Sequence, residues 1–252
     1  RHLATHLAYG YFRFQHRLDF IISNLLTKKK TGLPRPAYRD LCLGAYEICF
    51  LSRIPDFASV HWYVQQIKTD VSPKMAGLAN AVLRRICREK EDLLGRDFYA
   101  RDEPDLITFL ARYCSCPAWI VRLCVQAFGP QKTETVLNRN LSPPPVGLRF
   151  HPEASGWSDL SVHLSTQYPP VDQTSRGLAL HSLPDHEIRK AEEQGILTRQ
   201  SLAAQQALDR AGPQAWPRPI WDACAGRGLK TGQLLESGCT PLWASDIHAP
   251  KI

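Results

Sequence analysis

The chain has 252 residues, 44% of them hydrophobic, and carries 31 Lys and Arg against 24 Asp and Glu, a formal net charge of +7 at pH 7. At roughly 100–200 residues per domain it has room for about two soluble globular domains. No apolar run approaches the roughly 18 residues of a membrane span, and none of the eight Cys forms a Cys-x-x-Cys pair. These features argue against a membrane span and a disulfide framework, and for a reduced, cytoplasmic protein with buried thiols.

The excess charge lies in one half. Residues 1–128 hold 19 Lys and Arg against 12 Asp and Glu, whereas the remainder balances 12 against 12. A basic half beside a neutral one suggests that the first half grips a polyanion; a solvated basic surface is the plain alternative.

In chain order, residues 1–128 read as helices throughout. Lys28-Lys29-Lys30 before Thr31-Gly32 is a basic loop. Asp40 to Leu51 carries Leu41, Cys42, Ala45, Ile48 and Cys49 at helical spacing. Ile54-Pro55-Asp56 then breaks and restarts the chain, with Asp56 expected as an N-cap. Phe57, Val60, Val64 and Ile67 form the next apolar stripe. Ser72-Pro73 places a capping residue before Pro at the first helical position, and Met75, Leu78, Ala79, Val82 and Ile86 then face one way. Lys74, Arg84, Arg85 and Arg88 fall largely outside that stripe. Helices fit Asp105–Arg112 and Ala118–Phe128. The expectation is a compact all-helical domain with a basic outer surface. Lys28, Lys29, Lys30, Arg84, Arg85 and Arg88 are its candidate nucleic-acid contacts, each cluster weighed against ordinary solvation.

Residues 129–200 are expected to form a linker helix, near Lys132–Asn140, and a small α/β subdomain. Ser142-Pro-Pro-Pro145 is a stiff extended break. Val146–Phe150 reads as a strand, Trp157–Ser165 as a helix and Leu178–His181 as a weaker strand. Residues 201–252 begin with a helix at Ser201–Ala211 and a Pro-rich loop. They then carry the one stretch that names a ligand. Pro219-Ile-Trp-Asp-Ala-Cys-Ala-Gly-Arg-Gly-Leu-Lys-Thr231 reads as a strand, a Gly-bearing turn and a helix start, and Trp243-Ala-Ser-Asp246 as a second strand ending in a carboxylate.

Such a unit makes a nucleotide pocket, because the turn lets backbone approach the ligand and the carboxylate can accept from two ribose hydroxyls. A P-loop is excluded, since Leu229 precedes Lys230 and Cys224 holds the earlier Gly position. The dinucleotide fingerprint is only partly met, because Thr231 fills its third Gly. A nucleoside without a pyrophosphate, such as S-adenosylmethionine, fits better. Cys224, Ala225, Gly226, Gly228, Lys230 and Asp246 are the candidate cofactor residues. Taken singly, the glycines also suit a plain turn, Asp246 an N-cap and Lys230 a solvated helix start. Cys224 has no flanking base and reads as a packed residue rather than a nucleophile. The nine His show no metal spacing, so no metal is expected. The chain begins at Arg1 and stops shortly after Asp246, so it is expected to be a fragment cut at both ends.

These residues carry a resemblance. Leu7-Ala-Tyr-Gly10, Arg17-Leu-Asp19, Leu43-Gly-Ala-Tyr46, Arg53-Ile-Pro55 and Leu78-Ala-Asn-Ala-Val-Leu-Arg-Arg-Ile86 resemble, in order, the N-terminal RNA-binding domain of the bacterial small-subunit ribosomal RNA (cytosine-5) methyltransferases of the RsmB/Sun/Fmu type, a domain similar to the antitermination factor NusB. Tyr113-Cys-Ser-Cys-Pro-Ala-Trp119, Pro143-Pro-Pro145 with Leu148-Arg149, and Gln200-Ser-Leu-Ala-Ala-Gln205 are similar to the segments leading into that family's catalytic part. Asp222-Ala-Cys-Ala-Gly-Arg-Gly-Leu-Lys-Thr231 is similar to its S-adenosylmethionine loop, with Leu229 where the family usually has a second Gly.

The resemblance implies a NusB-like helical domain, a small α/β subdomain and the start of a Rossmann-like methyltransferase domain. It implies S-adenosylmethionine as cofactor and small-subunit ribosomal RNA as partner; a monomer is expected. It also implies a Cys thiolate adding to C6 of cytosine and a second Cys assisting elimination, which divides one hard step into easier ones. The family's Asp-Ala-Pro-Cys and Thr-Cys motifs are absent from residues 1–252, so no catalytic residue is assigned and this stretch alone is expected to be inactive. Two other readings stay open: a NusB-like RNA-binding module without catalysis, and a nicotinamide-dependent oxidoreductase, which Thr231 and the basic helical half disfavour.

Overall fold

Apolar residues recurring every third or fourth position fold the front of the chain into helices. The computed structural model describes residues 2–26, 33–101 and 103–248. They gather into two compact units, Arg1–Ser142 and Pro143–Ile252.

The first unit runs α1 (His2–Leu25), α2 (Arg35–Phe50), α3 (Asp56–Asp70), α4 (Pro73–Leu94), α5 (Arg96–Ala100), α6 (Leu106–Tyr113), α7 (Ala118–Phe128) and α8 (Pro130–Arg139). Helix α2 packs against α1, α3 and α4. Its Leu41, Cys42, Ala45 and Ile48 meet Leu18, Ile21 and Ile22 of α1 and Val82, Leu83 and Ile86 of α4 in one core. A second cluster joins Tyr99, Phe109, Leu110, Val121 and Leu137. Helix α8, expected as a connector, packs on α7 and buries Thr133 and Leu137, so the division between units falls after Ser142.

Three starts are capped as their residue types dictate. Ser72 accepts from the Met75 N–H at 3.3 Å, Asp105 from Thr108 at 2.9 Å and Ser201 from Ala204 at 3.3 Å. One expected cap is corrected. Pro55, in extended conformation, holds the N-cap position of α3, and Asp56 is the first helical residue. Its carboxylate instead pairs with Lys90 at 3.5 Å. A Pro-Asp start satisfies the end of the helix through charge on the macrodipole rather than through a capping hydrogen bond.

Several residues of the quoted motifs, and Glu47 beside one of them, hold this unit together. A Cβ on Gly10 would lie 1.9 Å from the Tyr46 ring, so any larger residue there forces that buried side chain to shift. Buried Arg17 donates from Nε to the Tyr113 carbonyl and sits over the Tyr113 ring, 4.6 Å from its centroid. Buried Glu47 accepts from the Ser59 hydroxyl at 2.6 Å and from Tyr63 at 3.2 Å.

The second unit opens with β1 (Val146–Phe150), α9 (Trp157–Gln167), β2 (Asp172–Thr174), β3 (Gly177–Leu180), α10 (Asp185–Glu193) and β4 (Leu197–Arg199). The strands form an antiparallel sheet in the order β2-β3-β1-β4, with Leu148 opposite Leu178 and Arg199. Successive side chains of a strand point to opposite faces. Leu148 and Phe150 therefore share a core with Leu164 of α9 and Ile188 of α10, while Arg149 faces the other way. Then follow α11 (Leu202–Arg210), β5 (Ile220–Asp222), α12 (Leu229–Glu236) and β6 (Leu242–Ala244). Strands β5 and β6 pair in parallel, Ile220 opposite Leu242 and Asp222 opposite Ala244. Ile220, Leu234 and Cys239 form their small core. The expected pattern of a helical domain followed by a small mixed α/β region is the one observed.

Candidate functional site

The candidate loop leaves β5 at Asp222 and returns as α12. Beyond the strands, backbone pairing continues: Ser245 N–H donates to the Asp222 carbonyl at 2.9 Å and Ala225 N–H to the Ser245 carbonyl at 3.0 Å. Gly226 (φ 58°) and Gly228 (φ 73°) lie in the left-handed region, which a Cβ makes costly. Gly226 N–H donates to Asp246 Oδ2 at 2.8 Å, and His248 N–H to Oδ1 at 2.9 Å. The carboxylate at the end of the second strand thus closes the turn of the first. Thr231, the residue in the third Gly place, donates its hydroxyl to Asp222 Oδ2 at 2.7 Å and ties the helix to the strand end.

Among the sequence candidates the structure brings together Cys224, Ala225, Gly226, Gly228 and Asp246 around this turn. Lys230 stands exposed in the first turn of α12, whose leading N–H groups have no intrahelical acceptors. Leu229 is the first residue of α12 and has ordinary helical backbone, so glycine is not required there. A Cβ at Gly228 would meet nothing within 4 Å. Gly228→Ala is therefore expected to cost only the left-handed backbone term, about 1–2 kcal/mol. Urea unfolding of the parent and the variant measures it, and equal midpoints would contradict it.

The support beneath the loop is not announced by any local sequence pattern. Arg149, 4% exposed, donates from Nη1 to Glu236 of α12, from Nε to Gln200 Oε1 at 2.6 Å and from Nη2 to the Leu229 carbonyl at 3.4 Å. His151 Nδ1 lies 2.5 Å from Glu236 Oε1. Gln200 donates to Gln233 Oε1 at 3.0 Å, and Gln233 to the Gln205 carbonyl at 3.0 Å and to Asp209 at 2.9 Å. A buried charge needs partners that satisfy each of its donors, and here they come from both ends of the helix that leaves the glycine turn and from Gln200, just before α11. The available signal was Arg149 itself, a cation within the otherwise uncharged strand Val146–Phe150.

On the first unit, Arg84, Arg85 and Arg88 are exposed on α4. Arg85 is occupied by Glu89, Nε to the two carboxylate oxygens at 2.9 and 3.1 Å. Arg84 Nε donates to Asn80 Oδ1 at 3.0 Å. Lys28, Lys29 and Lys30 lie outside the described residues. All eight Cys are free thiols; Cys224 is exposed, and burial pushes Cys49 and Cys114 up to about 12. Among the described residues no group of three His, Cys, Asp or Glu side chains is placed to hold a metal ion, and no single helix is long and apolar enough to cross a membrane.

Residues 1–88, within the helical first unit, match the NusB family. Along its length the chain is 29% identical over 243 residues to "Ribosomal RNA small subunit methyltransferase B" of Escherichia coli O6:K15:H31 (strain 536 / UPEC), covering 93% of this chain and 52% of the relative. It is 28% identical over the same length to the protein of that name in Escherichia coli (strain K12 / MC4100 / BW2952). An N-terminal NusB domain followed by this similarity matches the RsmB type that the motifs resemble. The chain spans about half the length of these curated relatives. The crystal structure of PH0851 has a similar fold, with a TM-score of 0.62 at 15% identity, over 99% of this chain and 56% of that one.

Proposed function

We propose that this chain supplies the RNA-gripping domain and the cofactor-binding front of an enzyme that methylates C5 of a cytosine in small-subunit ribosomal RNA. S-adenosylmethionine would be the methyl donor. The observation that carries the reading is the glycine turn closed on Asp246 between two parallel strands, in a chain similar to ribosomal RNA small subunit methyltransferase B over 93% of its length.

Strand β5, helix α12 and strand β6 read as the opening unit of a Rossmann-like domain. Cys224, Ala225, Gly226 and Gly228 would lie along the nucleoside, with Lys230 at the helix start. A carboxylate has about four lone-pair directions, so Asp246 can hold the turn through backbone N–H groups and still accept from a ribose hydroxyl. The basic first unit would bind the ribosomal RNA through phosphates, which is the use the charge imbalance suits. A cytoplasmic enzyme is in keeping with the free thiols; a monomer is part of the same proposal.

Transfer of a labelled methyl group from S-adenosylmethionine to small-subunit ribosomal RNA tests this. A longer protein containing this chain is expected to label C5 of cytosine. Residues 1–252 alone are expected to transfer none, since neither the Asp-Ala-Pro-Cys nor the Thr-Cys motif occurs in them. Label in cytosine from residues 1–252 would refute the assignment of the nucleophiles and turn the search to the eight Cys, beginning with Cys224.

A further inference from the structure

The first unit carries a groove between α3 and α4 with a volume of about 1150 Å³, more than a drug-sized ligand requires. Helix α3 contributes Phe57, His61 and Trp62; helix α4 contributes Asn80, Arg84 and Arg88. The three α4 residues follow at four-residue spacing and so form one ridge. Phe57 is 77% and Trp62 65% exposed, although large aromatic side chains on a helix normally turn inward. Beside them stand two cations. Asn80 accepts from Arg84 Nε, which orients the guanidinium and leaves its terminal amines to donate elsewhere. Asp56, the acid in the groove, is matched by Lys90, and the neighbouring Arg85 by Glu89. The local balance is thus two cations, Arg84 and Arg88, next to open aromatic faces.

That combination selects an occupant. A purely apolar partner helix would leave both cations uncompensated, and duplex RNA offers phosphates but keeps its base faces stacked inside. Unpaired nucleotides offer both: a π-face for an aromatic ring and a phosphate for a guanidinium. We propose that this groove binds single-stranded RNA, with bases stacked on Trp62 and Phe57 and phosphates on Arg84 and Arg88. The inference rests on the RNA-binding reading of the first unit, and deepens it by specifying unpaired RNA and the surface that takes it.

The test measures binding of the full chain to a short CA-repeat oligoribonucleotide, which stays unstructured, and to an RNA duplex with the same number of phosphates, each across a salt series. Trp62→Ala is expected to weaken the single strand about tenfold, with the salt slope unchanged and the duplex unaffected. Trp62→Phe keeps a ring and is expected to recover most of the loss. Arg84→Ala with Arg88→Ala is expected to weaken both RNAs and to lower the single-strand slope by about 1.4, at roughly 0.7 per phosphate contact. Circular dichroism checks the fold of each variant; all three side chains are exposed. If Trp62→Ala binds the single strand as the parent does while the arginine variant still lowers the slope, stacking is overturned and phosphate binding on this face stands. If the parent binds RNA and neither variant changes it, the groove is not the site. A parent that binds neither RNA overturns the RNA-binding reading, and this inference with it.

Discussion

Arg149→Met is expected to destabilise the second unit by about 3–5 kcal/mol, the usual result of removing one partner from a buried ion pair. The variant leaves the Glu236 carboxylate, 17% exposed, with only His151 beside it. It also strips a donor from Gln200 Oε1, buried within the polar chain that runs on to Gln233 and Asp209. Glu236→Gln keeps the shape and removes the charge, so it is expected to cost less. Tryptophan emission during denaturation follows the second unit when Trp62 and Trp119 are replaced by Phe, and the first when Trp157, Trp216, Trp221 and Trp243 are replaced, because these lie in different units. The second transition should move and the first should not. An unshifted second transition would show that the network contributes nothing to stability.

Asp246→Ala is expected to weaken binding of S-adenosylmethionine by roughly 1.5–3 kcal/mol for each charged hydrogen bond lost, which is about ten- to a hundredfold in Kd. Two effects add. The ribose loses its acceptor, and Gly226 N–H loses the carboxylate that closes the turn. Asp246→Asn separates them, since an amide oxygen can still accept from Gly226 while the charge at the ribose is gone. Calorimetry on a longer protein containing this chain gives the comparison. An unchanged Kd in Asp246→Ala would remove Asp246 from the cofactor site.

How much was legible in the sequence depends on how far apart the interacting residues lie along the chain. Ser72 and Asp105 announce their helices because a cap bonds three residues ahead. The strand–turn–helix–strand unit of the candidate loop is legible because its parts follow within residues 220–246. Asp56 misled because the preceding Pro55 is already extended and takes the cap position, while the carboxylate finds Lys90, 34 residues away. The support beneath the loop was hidden for the same reason on a larger scale: Arg149 meets Gln200 across 51 residues and Glu236 across 87. No local periodicity reports such a pair. Arg84, Arg85 and Arg88 look alike as letters. Only their neighbours one turn away along α4 distinguish an arginine held by Glu89 from two that line a groove.

The close passage of α1 over Tyr46 has a consequence for how this domain can change over generations. With a Cβ at position 10 falling 1.9 Å from the ring, the two positions do not drift independently. An alanine at 10 requires the buried ring at 46 either to move or to shrink, and shrinking it leaves a cavity in the core, typically worth several kcal/mol. Gly10 and Tyr46 are therefore expected to be inherited together, one unit of selection written at two places in the chain.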